Sequence, residues 1–206
     1  MDLRTNYSLL VIPGYLGSNK VVEKWAKIAH DNKVMIYTDF ADLEKPDDVI
    51  EMFFDSNLSG GDVYKSNVCM TCNYLVGRGR YAELGETEDL LIPPSVALAG
   101  SVYKTVMAQV TAGKKYGSMS EVDGVAFNLK KSEISEIEKI GLIPMVKEYG
   151  KVMAFSAKTL FNGDNLGLQT YSVVRVFDWV TKVLMDFLNR RAFENWNSKA
   201  ERDLRG

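Results

Sequence analysis

The longest helical pattern in the chain, residues 171–189, constrains the fold more than any other stretch. At about 100° per residue, Val173, Val176, Phe177, Val180, Val183, Leu184, Phe187 and Leu188 share one face of a helix. Arg175, Asp178, Lys182, Asp186 and Asn189 share the opposite face, with Asp178 and Lys182 in the favourable acid-first order. The pattern predicts a buried apolar face and a charged face in water. Val174 and Met185 fall off the stripe and read either as contacts to something beyond the core or, by preference, as ordinary exposed side chains. Arg190 and Arg191 suit the negative pole of the helix, and Phe193 and Trp196 are expected to tuck back against the body.

A helix of that kind needs a second layer to bury its stripe. Strands are expected at residues 7–12, ended by a Pro13-Gly14 turn, at 34–37 and at 67–75. Between them, Val21, Val22, Trp25, Ile28 and Ala29 follow helical spacing. Pro46, Asp47 and Asp48 open a second helix carrying Val49, Ile50, Phe53 and Phe54. Strand, helix, strand, helix, strand implies right-handed crossovers and parallel pairing. Further along, a helix is expected over 96–110, a loop over 113–124, a strand at 125–129 and a helix over 132–140 ended by Gly141. Strands at 142–146 and 151–155 would meet at Tyr149-Gly150. The expected class is α/β: a mixed, largely parallel sheet flanked by helices. The 206 residues suit one domain, with an N-terminal α/β part at 1–92 and a second part at 93–206.

At 46% hydrophobic and 25% charged, the chain can bury a sizeable core. A net charge of -2 argues against nucleic acid as a partner, because phosphate neutralisation needs surplus Lys and Arg. No apolar run reaches membrane-span length, so no direct membrane insertion is expected. Asp2, Arg4 and Asn6 precede only a short apolar run, unlike a signal peptide, and the expected location is the cytoplasm. Cys69 and Cys72 have Cys-x-x-Cys spacing, but on a strand residues three apart point to opposite faces. They read as two buried thiols rather than a metal or redox pair.

Gly77-Arg78-Gly79-Arg80-Tyr81-Ala82 matches the Gly-x-Gly-x-x-Gly/Ala form of dinucleotide sites and follows a predicted strand. A nucleotide-binding α/β enzyme using this Gly77–Ala82 loop is therefore the alternative reading. Against it, the next residues carry Gly85, several acids and Pro93-Pro94, a poor start for the helix that must face the pyrophosphate. Gly113-Lys114-Lys115-Tyr116-Gly117-Ser118 lacks the spacing of a phosphate loop, and the single histidine, His30, reads as a solvated residue at a helix end. Glu86, Glu88 and Asp89 form a solvated acidic run. No catalytic, cofactor-binding or metal-ligating residues are assigned, and no cofactor is expected.

Several segments in order resemble contractile sheath proteins: phage tail sheaths and, more closely, the large sheath subunit of type VI secretion systems. Pro94-Ser95-Val96-Ala97-Leu98-Ala99-Gly100-Ser101-Val102-Tyr103 resembles a helix start of that family, and residues 113–124 occupy the place of its glycine-rich loop. Residues 129–149 resemble its short acidic helix leading into a strand. Residues 152–160 resemble its apolar strand followed by Ala-Arg-Thr-Leu, with Lys158 where many members carry Arg. Residues 171–196 resemble its Val-x-Arg helix with a Phe-Glu-x-Asn-Trp ending, and Asn162-Gly163-Asp164-Asn165 matches a loop of a divergent subtype. The resemblance covers residues 67–196 and extends weakly toward the N-terminus.

The resemblance implies a tail-sheath-like core and a structural, non-enzymatic role. The implied partners are a small sheath subunit, neighbouring sheath subunits and an inner tube protein that contraction drives outward, with strands added between sheet edges. A disassembling AAA+ unfoldase is implied where the family's earlier N-terminal segment is present. Large subunits of the family are longer than this chain, which therefore reads as a fragment of one.

Overall fold

Met35–Asp39 is buried at every position, as expected of the middle strand of a sheet covered on both faces. In the computed structural model, which describes residues 7–42, 45–192 and 202, this strand (β2) lies between Leu9–Tyr15 (β1) and Val68–Thr71 (β3), parallel to both. The crossovers are the helices Asn19–Asn32 (α1) and Pro46–Ser56 (α2). Pro46 opens α2, where its missing N–H costs nothing, with Asp47 and Asp48 in the first turn. Alternation along the strands then separates two cores. Ile36, Val68 and Met70 pack on one face with Val22 and Ala26 of α1 and Val49 and Phe53 of α2. Met35, Tyr37 and Cys69 pack on the other with Leu98 and Val102 from Pro94–Lys104 (α3).

Two antiparallel sheets complete the fold. Leu75–Arg78 (β4) pairs with Leu90–Ile92 (β5) and Gly124–Val125 (β7), while Lys151–Ala154 (β9) pairs with Ser118–Met119 (β6) and Met145–Glu148 (β8). The helices Gly113–Tyr116 (α4), Lys131–Lys139 (α5) and Tyr171–Arg191 (α6) fill the remainder. The class is mixed α/β, as expected. Parallel pairing among the described residues, however, is confined to β1, β2, β3 and two bridges, Thr71 to Ile143 and Gly60 to Phe161. The later strands are short and pair antiparallel, although α3 and α4 lie between β5 and β6 and α5 lies between β7 and β8. Tyr149 and Gly150, at φ 51° and 73°, make the two-residue turn that closes β8 onto β9.

Four expectations shift. Pro13-Gly14 does not end β1: the register against β2 slips between Ile12 and Tyr15, and the strand continues past the irregularity. The single strand expected over 67–75 is two, because Asn73 takes over the ladder with its side chain. Its Oδ1 accepts from the Met145 amide and its Nδ2 donates to the Met145 carbonyl, both at 2.8 Å. The helix expected over 96–110 stops at Lys104, where Thr105 turns extended and its hydroxyl donates to the Ser101 carbonyl. The strand expected at 125–129 is only the two residues of β7. Phe193 and Trp196 lie outside the described residues.

Candidate assembly surface

α6 sits against the body with its faces reversed from expectation. Tyr171, Ser172, Val174 and Arg175 are buried, whereas Phe177 is 65% exposed and Leu184 54% exposed. Val180, Val183 and Leu188 are exposed as well. Tyr171, Val174, Arg175, Asp178 and Lys182 are spaced three, four, seven and eleven residues from the first, one continuous helix face, and this mostly polar face meets the rest of the chain. Val174, read from the sequence as a scattered surface residue, is core; Arg175 and Asp178, read as solvent-facing, point inward.

The inward face is held by specific partners. The Tyr171 hydroxyl donates to the Thr111 carbonyl at 2.9 Å, and its ring meets Tyr37 edge-on with centroids 5.5 Å apart. Asn67 Nδ2 donates to Asp178 Oδ2 at 2.8 Å and to the Val34 carbonyl at 3.0 Å. His30 Nδ1 lies 2.9 Å from Asn67 Oδ1, so His30 is a partly buried member of this network rather than a solvated helix end. Burial raises the Asp178 carboxyl above its ordinary range, opposed by the Asn67 hydrogen bond and the nearby Lys33, His30 and Lys182. Lys182 Nζ donates to the Tyr7 carbonyl at 2.6 Å. Polar contacts thus fix the helix while its apolar stripe faces outward, and contiguous apolar exposure marks a contact surface.

The Gly77–Ala82 loop is built unlike a phosphate site. No α-helix follows it; Ala82–Leu84 is a single 3-10 turn. Its amides are already used by the chain's own carboxylates. Gly79 N donates to Asp123 Oδ2 at 3.2 Å, Arg80 N to Asp89 Oδ1 at 3.1 Å, and Tyr81 N to Glu86 Oε2 at 2.8 Å. A phosphate arriving there would have to displace three carboxylates from amides and then lie beside them. Cys69 and Cys72 are buried in different cores, on opposite faces of the parallel sheet, and cannot share one ion.

Family comparison decides between these readings. The description "Type VI secretion system TssC/VipB, central domain" matches residues 1–162, and "TssC/VipB-like, C-terminal domain" matches residues 170–206. The chain belongs to the TssC/VipB family. The two matches meet just ahead of α6, so in TssC/VipB terms this helix opens the C-terminal domain. No curated protein matches the chain in sequence.

Solved structures show the TssC/VipB fold of this chain to be a tail-sheath fold. A chain of the contracted sheath complex of PVC, an extracellular contractile injection system, superposes with a TM-score of 0.68 at 14% identity, covering 91% of this chain and 49% of the other. A chain of the anti-feeding prophage baseplate gives 0.65 at 15% identity, covering 90% and 46%. The sheath tail protein of Listeria innocua gives 0.59 at 11% identity, covering 90% and 39%. The chain thus spans less than half the length of these proteins. No helix among the described residues is long and apolar enough to cross a membrane.

Proposed function

We propose that this chain is the core of a large sheath subunit of a type VI secretion system: a structural protein that polymerises with a small sheath subunit into a tube around an inner tube protein, and whose contraction drives that inner tube outward. The observation that carries the reading is the pair of TssC/VipB matches, which together account for all but residues 163–169. The outward apolar stripe of α6 supports it, because a contiguous exposed apolar patch marks a surface that another chain covers. The work is done in the cytoplasm by packed surfaces, with energy held in the lattice and no reacting group. Where the longer protein carries the family's N-terminal segment, a AAA+ unfoldase takes the contracted sheath apart.

The test is co-expression of the full-length protein with its small subunit, followed by affinity purification and electron microscopy. A stable complex that forms rings or tubes is expected. A large subunit that stays monomeric beside its small subunit, or turnover of a nucleotide that is lost on changing Gly79, would overturn the reading.

A further inference from the structure

Among the described residues, the docked end of α6 leaves one cation without an ion-pair partner. Arg175 is 9% exposed, its Nε is buried with no hydrogen-bond partner, and among the described residues no carboxylate forms a salt bridge with it. A buried guanidinium in that state is costly, and an arriving anion removes the cost. Arg175 lines a recess with Lys33, Lys182, Asp178, Ser8 and Trp179. That is three cations against one carboxylate, and Asp178 already accepts from Asn67. The recess measures about 30 Å³, room for one or two water-sized groups where one water needs about 10–15 Å³. It takes the tip of a single carboxylate and is too small for a nucleotide. Trp179 beside it is 54% exposed, which adds an apolar contact at the rim.

The position of the recess says where that carboxylate comes from. Ser8 immediately precedes β1, Lys33 lies just ahead of β2, and Asn67 immediately precedes β3, so the recess lies at the N-terminal edge of the parallel sheet. At the opposite edge, Asp42 follows β2 and lines an open cleft with Val76, Arg80, Glu88 and Asp89. The segment 83–91 there is both acidic and apolar. Leu84 is 76% exposed and Leu90 47% exposed, and Glu83, Glu86, Glu88 and Asp89 lie among them. Arg78 holds Glu86, and the Arg80 amide holds Asp89. Glu83 and Glu88 are exposed and make no hydrogen bond or ion pair among the described residues. Complementary patches at opposite ends of the same three strands can meet only between copies, in a head-to-tail contact that repeats around a ring or along a filament.

We propose that the Arg175 recess receives the acidic segment 83–91 of a second copy of this chain, with Glu83 or Glu88 entering the recess and Leu84 lying against Trp179. The contact deepens the polymeric reading above and rests on it.

The test places Ser8→Cys and Leu84→Cys in separate full-length chains. These are assembled together with the small subunit and treated with a short bis-maleimide; Cys69 and Cys72 are buried and do not compete. A covalent dimer in the mixture, absent from either variant alone, is the expected result. Glu83→Lys with Glu88→Lys in the Leu84→Cys chain lowers its yield about ten-fold, as does Arg175→Gln in the Ser8→Cys chain. Should Arg175→Gln fail to fold, the loop pair still decides, since both positions are exposed. Tubes that form without the mixed dimer overturn this contact and leave the sheath reading standing. A mixed dimer without tubes supports the contact and removes the sheath reading. Homodimers of either variant, or a yield indifferent to the loop charges, also overturn it.

Discussion

Asp39, at the end of β2, ties four segments together with one carboxylate. Its Oδ2 accepts from the Gly14 amide at 2.8 Å and the Ser95 hydroxyl at 2.6 Å; its Oδ1 accepts from the Thr71 hydroxyl at 2.7 Å and the Ser95 amide at 2.8 Å. The irregularity in β1, the end of β3 and the first turn of α3 are thereby held at one buried point. Asp39→Ala leaves these donors buried without an acceptor and should cost at least about 3 kcal/mol. Asp39→Asn turns an NH2 group toward one pair of donors and should cost about 2 kcal/mol. Urea unfolding of both variants measures this as a lower midpoint at unchanged slope, and a midpoint within error of the parent would refute it. Little in the sequence marks this residue, because its donors lie 25 to 56 residues away and two of them are backbone amides. The neighbouring Gly-x-Gly loop shows the opposite failure, a local motif that the fold puts to another use. There Arg78 hydrogen bonds, joined by the Tyr81 amide, lower the Glu86 carboxyl from 4.5 to about 2. A depressed folded-state value means that its contribution is present above the unfolded value and is lost as pH falls from about 4.5 through about 2. The Glu86 carboxyl followed by NMR should titrate near 2 and move toward 4.5 in Arg78→Ala.

At the scale of elements, α6 separates what periodicity encodes from what it does not. Its start and end were legible to within a residue or two, since the pattern at 171–189 is long and regular. Its orientation was not. An apolar stripe states that something covers that face, and in a polymeric subunit the cover can be another chain. The inward side carries Arg175 and Asp178, and the signal for it lay in Tyr171 and Val174 sharing their face, which outweighs the charges once Asn67 and Thr111 supply partners. The two faces should therefore respond differently. Phe177→Gln with Leu184→Gln, both in exposed positions, should leave the melting temperature within about 2 °C while lowering the yield of complex with the small subunit. Val174→Ala should cost about 1–3 kcal/mol, and Tyr171→Phe about 1 kcal/mol, with assembly lost only through folding. Thermal melts beside pull-down yields separate the two cases, and a large loss of stability in the double glutamine variant would mean that the stripe is covered within the chain.

At the scale of the molecule, the order of elements in the first half was legible because β-α-β units are local, and so was the β8–β9 hairpin at Tyr149-Gly150; the other antiparallel pairings were not, because β4 meets β7 across about 50 residues and β6 meets β9 across about 35. The β4–β7 pairing also joins the two parts, 1–92 and 93–206, of the one domain anticipated from the sequence. The core beneath α1 and α2 includes Ile137, Leu142 and Leu160, and the core beneath α3 includes Met35, Tyr37, Cys69 and Leu75. Each core thus draws on both halves, and neither half retains a complete core alone. The chain should unfold as one cooperative unit. Cys69 and Cys72 provide a probe of this, one in each core, both fully buried, with burial pushing both thiols up. In native buffer Ellman's reagent should find neither thiol. In increasing urea both should become reactive together, at the midpoint where far-UV circular dichroism is lost. One thiol per chain appearing at a lower urea concentration than the other would show instead that the two faces of the parallel sheet open separately.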